Sequence, residues 1–341
     1  TTTTPTGSAQ VKARFGDRVL HVYAPWDLPG SIKRFLRRVR PRLLLLMETE
    51  LWPNTVHYCH AAGCRVVVAN ARMSERSARG YARFPGLTGS MLGKINRVAC
   101  QSGADGQRFL SLGLRPAALQ ITGSIKFDVS PSAEMRIQSL QLREEYGTDS
   151  RPVLVAASTH PGEDEQVLAA FARVREVIEN CLLLLVPRHP ERFSDVGELC
   201  EGAGWRVRRR SSATPPGPDV DIVLGDTMGE LALLQSVGSI VLVGGSLVPH
   251  GGHNPLEAAA WGIPVVCGPH MFNFLEITGM LVDAGAMLQV DQDELADELS
   301  GLLRDPDRCL RMGAAGQGVV KNNAGALERL QILVAEELAP G

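Results

Sequence analysis

Short apolar runs alternate with segments of helical spacing along almost the whole chain. An apolar run bounded by polar or glycine residues is typical of a strand buried in a parallel sheet. The runs that predict strands are residues 19–22, 43–47, 65–69, 97–100 and 119–122 in the first part, and 153–157, 182–186, 206–207, 222–224, 240–243, 264–267 and 287–290 in the second. Strands that alternate with helices predict an α/β protein with parallel sheets.

The alternation is interrupted once, between residues 129 and 150, where the sequence becomes polar and charged. We interpret residues 129–150 as a linker, residues 1–128 as an N-terminal domain, and residues 151–341 as a C-terminal domain that ends in helices. The length of 341 residues agrees with two domains of ordinary size. Two Rossmann-like, doubly wound domains in succession imply a cleft between them, with ligands beyond the carboxyl ends of the strands.

Composition narrows the class of protein. A hydrophobic content of 44% and a charged content of 21% describe a globular protein. The formal net charge of -2 argues against a nucleic-acid partner, because proteins that bind nucleic acids are usually basic. Seven cysteines at irregular spacing fit neither a zinc site nor a disulfide framework and indicate a cytosolic protein. No apolar run approaches the roughly 18 residues of a membrane span.

The segment 244–257 carries the clearest sign of a ligand site. It follows the predicted strand 240–243 and contains four glycines and two histidines. Asn254 suits the N-cap of a following helix, Pro255 its first position and Glu257 its third. Unpaired N–H groups at such a helix start attract anions, so we predict a phosphate site here. A well-capped connection from strand to helix, with no ligand, is the alternative interpretation.

Polar side chains also follow most of the other predicted strands, at the edge of a sheet where α/β proteins bind ligands. Lys126, Arg188 and the helix start at Asn254 form a set that can hold a phosphate, because arginine offers a planar donor fork and lysine a point charge. Such fixed cations suit the departure of a nucleoside phosphate. We identify no Asp-x-Asp motif of the metal-chelating type, so we predict neither a metal nor another cofactor.

Two glutamates are candidates for contacts to a ribose. Glu230 and Glu257 can each accept a hydrogen bond from a ribose hydroxyl. Thr227 with Glu230 also fits a capping box, which would give this pair a structural role instead.

Four longer segments make a resemblance to one family specific. The chain resembles the lipid A 3-deoxy-D-manno-octulosonic acid (Kdo) transferases in residues 47–54, 123–128, 187–193 and 244–257, which occur in the family's order. The resemblance implies a GT-B glycosyltransferase of the inverting type that uses CMP-Kdo as donor. It implies the lipid A precursor, lipid IVA, as acceptor, in lipopolysaccharide core biosynthesis of a Gram-negative bacterium.

The resemblance also implies roles for individual residues. Contacts to CMP fall on Pro187, Arg188, Met228, Gly229 and Glu230, and contacts to its phosphate and ribose fall on Asn254, Pro255, Leu256 and Glu257. Glu50 and Lys126 are implied to support charge in the transition state. Ser124 stands where the family often has Asn, which affects the fine positioning of Lys126.

The family has an N-terminal membrane anchor and a general-base glutamate, and both would precede Thr1. We therefore expect an N-terminally truncated chain that has little transfer activity. We expect the full-length protein to lie at the cytoplasmic face of the inner membrane. The basic and partly apolar region around Trp26 and residues 32–42 is predicted to face anionic phospholipid. A half-buried amphipathic helix with a solvated basic face is the alternative for this region.

Two other functions remain open at the level of the sequence. Another GT-B enzyme or a sugar-nucleotide epimerase would share the fold and the phosphate-binding helix. A non-catalytic module that binds a nucleotide sugar is the alternative from a different class, because the general base is expected outside this chain.

Overall fold

The computed structural model describes residues 1–339, so residues 340 and 341 of the predicted C-terminal domain lie outside the described residues. The chain folds into two compact units. The first unit comprises Thr1–Ile125 with residues 324–339, and the second comprises Lys126–Asn323. Each unit is built on one sheet whose strand pairs are parallel. The predicted class, an α/β protein with two parallel-sheet domains, is confirmed.

The sheet of the first unit has four strands in the order β1-β2-β3-β4, so it follows the order of the chain. Its strands are β1 (Leu43–Met47), β2 (Arg65–Ala71), β3 (Arg97–Cys100) and β4 (Leu119–Ile121), and its helices are α1 (Pro5–Phe15), α2 (Pro29–Val39), α3 (Pro53–Ala61), α4 (Glu75–Ala82), α5 (Pro85–Leu92), α6 (Gly103–Ser111) and α15 (Ala326–Leu338). β2 is buried on both faces: Val66 and Val68 belong to one core cluster, and Val67 and Ala69 belong to another. Burial of both faces explains why this strand is a continuous apolar run.

The predicted strand at residues 19–22 is wrong. Within the described chain this segment has no ladder, and only an isolated bridge joins Thr2 to Tyr23. Leu20 is 83% exposed. An apolar run becomes a strand only where a neighbour pairs with it and a layer covers it, and neither is present at residues 19–22.

The sheet of the second unit has seven strands in the order β11-β10-β9-β5-β6-β8-β7. Its strands are β5 (Val153–Thr159), β6 (Leu182–Pro187), β7 (Val207–Arg209), β8 (Ile222–Leu224), β9 (Ile240–Val243), β10 (Val265–Cys267) and β11 (Met287–Gln289), and its helices are α7 (Ala133–Glu145), α8 (Asp164–Val177), α9 (Phe193–Gly202), α10 (Leu231–Gln235), α11 (Leu256–Trp261), α12 (Leu275–Asp283), α13 (Gln292–Leu303) and α14 (Pro306–Asn323). The order reverses between β5 and β9, which makes this sheet doubly wound. Core clusters cover both faces, with Val155 in one and Leu154 in the other.

The two units divide the chain differently from the predicted boundaries of 1–128, 129–150 and 151–341. The predicted linker contains α7, which is part of the second unit because Leu142 and Tyr146 are buried in the same cluster as Val153. The last helix, α15, is part of the first unit. Leu330 and Leu333 on α15 pack against the buried face of β2.

Candidate functional site

The strand order of the second unit brings four loops to one edge of its sheet. β9, β5, β6 and β8 are neighbours and run parallel, so the segments that follow them leave the sheet on the same side. We call these segments the strand-end loops: residues 160–163, 188–189, 225–230 and 244–255. They flank the reversal of strand order between β5 and β9, the position at which doubly wound sheets bind ligands.

The helix after the glycine-rich loop begins one residue later than predicted. α11 starts at Leu256, because Pro255 with φ -80° and ψ -13° occupies the cap position. Asn254 still caps the helix, since its Oδ1 accepts a hydrogen bond from the Leu256 N–H at 3.1 Å. Gly262, with φ 76°, ends the helix as predicted. With six residues α11 is short, so the fixed cations of the site matter more than the helix dipole.

The backbone of the glycine-rich loop lies directly against its neighbours at two positions. A Cβ on Gly244 would lie 2.3 Å from the Ser158 carbonyl oxygen at the end of β5. Gly252 has φ 74°, and a Cβ there would lie 2.2 Å from the Met271 sulfur. Only glycine fits this close approach, so the loop is fixed to the end of β5.

A buried carboxylate for which the sequence predicts no role holds the loop in place. Glu163 has no exposed surface. Its Oε1 accepts hydrogen bonds from the N–H groups of Ser246 at 3.0 Å and Leu247 at 2.9 Å. Its Oε2 accepts from Gly245 at 2.6 Å and His160 at 2.9 Å. The only local signal in the sequence is an acidic residue between Gly162 and the start of α8.

Four histidines from three strand-end loops form a cluster. The imidazoles of His160 and His253 share a hydrogen bond between their Nε2 atoms at 2.8 Å, so at least one of them is neutral. The His250 ring stacks on His160 with 3.7 Å between centroids, and the His189 ring lies edge-on to it at 5.5 Å. Among residues 1–339 no group of three or more His, Cys, Asp or Glu side chains is arranged to hold a metal ion.

Burial and positive neighbours keep two members of this cluster, His160 and His253, neutral near pH 7. Burial lowers the pKa of His160 to about 4, and the other three imidazoles and Arg192 act in the same direction. Burial likewise lowers the pKa of His253 to about 4, with further contributions from Arg188, His250 and His189. Neutral imidazoles can both donate and accept hydrogen bonds, which suits them to contacts with a sugar.

Two arginines follow β6 and have different roles. Arg188 is exposed, and it acts electrostatically on both His253 and Glu257. Arg192 is half-buried; it forms an ion pair with Asp164 and donates a hydrogen bond to the Thr159 carbonyl oxygen at 2.8 Å. Arg188 is therefore the arginine of this segment that can meet a ligand phosphate. Pro187, the last residue of β6, is buried behind it.

The segment with Met228, Gly229 and Glu230 precedes α10. Met228 is 59% exposed, and Gly229 has φ 85°. Glu230 accepts a hydrogen bond from Thr227 Oγ1 at 2.5 Å and pairs with Arg210 at 3.3 Å. Burial opposes ionisation of Glu230, but the hydrogen bonds from Thr227 and Arg210 outweigh it and lower the pKa of the carboxyl group. A ligand hydroxyl would share Glu230 with these two partners.

The residues at the start of α11 differ in what they can offer a ligand. The Leu256 side chain is fully buried in the core, so any contact from it comes from the backbone. Glu257 is half-buried; burial raises the pKa of its carboxyl group, and Arg188 opposes this shift. A cavity of about 220 Å³ lies beside it, lined by Val129, Ser130, Pro131, Met135, Ala232, Glu257 and Trp261.

The two residues implied to support charge in the transition state lie on different units. Glu50 is exposed, just after β1 in the first unit. Lys126 lies at the start of the second unit, with its Nζ 4.9 Å from the centroid of the Phe274 ring. The roles of all the implied site residues stay predictions.

Comparison with known proteins shows to which class of protein the chain belongs. A glycosyltransferase from Rickettsia africae has a TM-score of 0.59 and 14% identity, covering 97% of this chain and 88% of that chain. At this identity the likeness shows the fold alone. A family model of glycosyl transferases group 1 matches residues 164–319. The two parallel-sheet units therefore form a glycosyltransferase of the GT-B class, as the resemblance implied.

The relatives define the family within this class. A family model of the 3-deoxy-D-manno-octulosonic-acid transferases (kdotransferase) matches residues 1–129. The 3-deoxy-D-manno-octulosonic acid transferase of Haemophilus influenzae is 45% identical over 97% of this chain and 78% of its own length. The enzyme of Bordetella pertussis is 36% identical over 96% of this chain and 78% of its own length. The chain belongs to the 3-deoxy-D-manno-octulosonic acid transferase family.

One similar solved structure is that of a single domain. The C-terminal CMP-Kdo binding domain of WaaA from Acinetobacter baumannii has a TM-score of 0.53 and 34% identity, covering 55% of this chain and 99% of that chain. The family recognised from the four sequence segments is confirmed.

Proposed function

We propose that the chain transfers Kdo from CMP-Kdo to the lipid A precursor, lipid IVA, with inversion at the anomeric carbon. Membership of the family supports Kdo transfer in lipopolysaccharide synthesis. One observation carries the proposed donor: 34% identity over 99% of a domain that binds CMP-Kdo. The strand-end loops of the second unit supply the cationic and carboxylate groups that a nucleoside monophosphate requires.

The proposed donor site assigns one ligand group to each kind of side chain. The exposed guanidinium of Arg188 binds the phosphate, because its planar fork can make two charge-assisted hydrogen bonds. Glu257, half-buried at the start of α11, accepts from a ribose hydroxyl. Met228 and Gly229 contact the remainder of CMP from the loop that precedes α10.

The proposed reaction is a displacement at the anomeric carbon of Kdo. A hydroxyl oxygen of the acceptor forms the new glycosidic bond, while the bond from that carbon to the phosphate oxygen breaks and CMP leaves with the electron pair. Arg188 and Lys126 stabilise the negative charge on the phosphate, and Glu50 supports the positive charge that develops on the sugar. The acceptor proton goes to a general base. The expectation of low transfer activity stays a prediction.

The membrane part of the proposal concerns the surface around α2. Ile32 and Leu36 are buried, so the apolar face of α2 packs within the first unit and is not available to lipid. Trp26 is 84% exposed and Leu28 61% exposed, just before α2. The opposite face of α2 is basic and exposed, with Lys33, Arg34, Arg37 and Arg38. We propose that this α2 surface lies on the anionic cytoplasmic face of the inner membrane. Among residues 1–339 no helix is long and apolar enough to cross a membrane.

Calorimetric titration with CMP tests the donor site. Arg188→Ala should weaken CMP binding by about 1.5–3 kcal/mol, because it removes a charge-assisted hydrogen bond to the phosphate. This loss corresponds to an increase in Kd of roughly 10- to 150-fold. Arg304→Ala is the matched control, since Arg304 is an exposed arginine at the end of α13 in the same unit.

An unchanged Kd for Arg188→Ala would contradict the assignment of the phosphate site. The same titration with UMP and UDP separates the proposed donor from those of other nucleotide-sugar enzymes, since the proposal requires preference for CMP. Preference for UDP would favour the alternative of an epimerase-like enzyme. The non-catalytic alternative predicts CMP binding without Kdo transfer in the intact gene product.

A further inference from the structure

Three consecutive backbone N–H groups of the glycine-rich loop point at one carboxylate. Such a concave set of N–H groups, a nest, commonly binds a phosphate in other proteins. In this protein the N–H groups of Gly245, Ser246 and Leu247 donate to the two carboxylate oxygens of Glu163 at 2.6, 3.0 and 2.9 Å. The His160 N–H also donates to this carboxylate, at 2.9 Å.

Backbone hydrogen bonds connect the part of the loop that Glu163 holds to the residues proposed to bind CMP. The carbonyl oxygen of Gly245 accepts from the Gly252 N–H at 2.7 Å, and that of Gly244 accepts from the His253 N–H at 3.2 Å. The loop thus folds back on itself directly before Asn254, which caps α11. The position of the Asn254–Glu257 segment therefore depends on the part of the loop that Glu163 holds.

We propose that Glu163 is a positioning residue of the nucleotide site, whose carboxylate takes the place in the nest that a phosphate takes in comparable loops. The glycine-rich loop is then a fixed support for the start of α11, and the ligand phosphate is held by side chains such as Arg188. This inference uses the proposed function only to choose CMP as the ligand. The predicted phosphate site at the N–H groups of the start of α11 is a different set of donors and stays a prediction.

The proposal predicts one effect of Glu163→Gln on CMP affinity, and the alternative, in which the nest itself binds the phosphate, predicts another. This substitution keeps the shape but removes the charge, and the amide nitrogen cannot accept hydrogen bonds from the N–H groups that face it. If Glu163 positions the loop, CMP binding weakens, by a factor on the order of ten. If the nest is a phosphate site from which the ligand displaces Glu163, loss of the competing negative charge leaves CMP binding equal or tighter.

Matched variants separate positioning from loss of stability. Glu165→Gln makes the same change two residues further on, at an exposed position in the first turn of α8. Val167→Ala removes buried volume from the same helix and leaves the Glu163 carboxylate in place. CMP affinity should fall in Glu163→Gln, remain unchanged in both controls, and recover in part in Glu163→Asp, which keeps the carboxylate. Equal losses in Glu163→Gln and in Val167→Ala at equal melting temperature would overturn the proposal.

Amide hydrogen exchange provides a second measurement that needs no nucleotide. We expect faster exchange over residues 245–254 in Glu163→Gln than in the unaltered chain, and no change there in Glu165→Gln. Unchanged exchange in this segment would overturn the positioning role even if CMP did not bind. Failure of the unaltered chain to bind CMP would instead overturn the proposed function, so the two ideas fail in different measurements.

Discussion

At the scale of single residues, the burial of His160 and His253 makes stability depend on pH. Burial lowers the pKa of both imidazoles to about 4 in the folded chain, compared with an ordinary value of 6.5. Between these values the unfolded chain binds more protons, so stability is fully present above about pH 6.5 and is lost as the pH falls towards 4. The loss amounts to at most about 1.4 kcal/mol per pH unit for each imidazole.

Urea unfolding at several pH values between 4.5 and 7.5 measures this dependence. His253→Gln should lower the slope of the free energy of unfolding against pH, by the equivalent of up to one bound proton. The reason is that it removes one of the two imidazoles that titrate. His57→Gln, at an exposed position on α3, is the control and should leave the slope unchanged. A slope for His253→Gln equal to that of the unaltered chain would contradict a neutral, buried His253.

At the scale of elements, the exposed basic face of α2 leads to a prediction about membranes. Each basic residue near an anionic bilayer contributes about 1 kcal/mol of attraction, which salt screens. Replacing Arg37 and Arg38 with Gln should therefore lower binding to phosphatidylglycerol vesicles by a factor on the order of ten or more. Replacing Arg76 and Arg79 with Gln is the matched control, since these arginines are exposed on α4 of the same unit.

Vesicle co-sedimentation at low and high salt measures both variants, with phosphatidylcholine vesicles as the neutral reference. Trp26→Ser tests the apolar part of the α2 surface separately from its charge. If binding were equal on neutral and anionic vesicles, or if both arginine pairs had the same effect, α2 would not be the membrane-binding element.

Most strands could be predicted because a buried strand of a parallel sheet needs a continuous apolar run. β1, β3, β8 and β9 have the predicted bounds, while the failed strand at residues 19–22 shows that such a run is insufficient without a pairing partner.

The partner of α15 could not be predicted, since the apolar face of a helix does not encode which sheet covers it. α15 is joined to the first unit by contacts far apart in sequence, such as the Glu337 ion pair with Arg97 at 3.0 Å.

At the scale of the whole molecule, the edge of the sheet at which the site residues lie could be predicted, but the role of Glu163 could not. Parallel strands place their carboxyl ends on one side, so Arg188, Glu230 and Glu257 could be assigned to the same edge from their positions after strands. Glu163 differs, because three of its four partners lie 82 to 84 residues away in the chain. A carboxylate that replaces an expected ligand anion leaves no pattern at short range. The sequence of the glycine-rich loop therefore does not show that the N–H groups of Gly245, Ser246 and Leu247 donate to a carboxylate of the chain itself.

The last prediction concerns how CMP affects the two units. If the strand-end loops hold CMP, the ligand stabilises the second unit, by about 2.7 kcal/mol at a free concentration one hundred times Kd. We expect hydrogen exchange monitored by mass spectrometry to slow in residues 153–267 when CMP is added, and to remain the same in β1–β4. Arg188→Ala should weaken this protection at the same CMP concentration, while Arg304→Ala should keep it. Protection confined to the first unit would show that the nucleotide binds there, and the assignment of the donor to the second unit would be wrong.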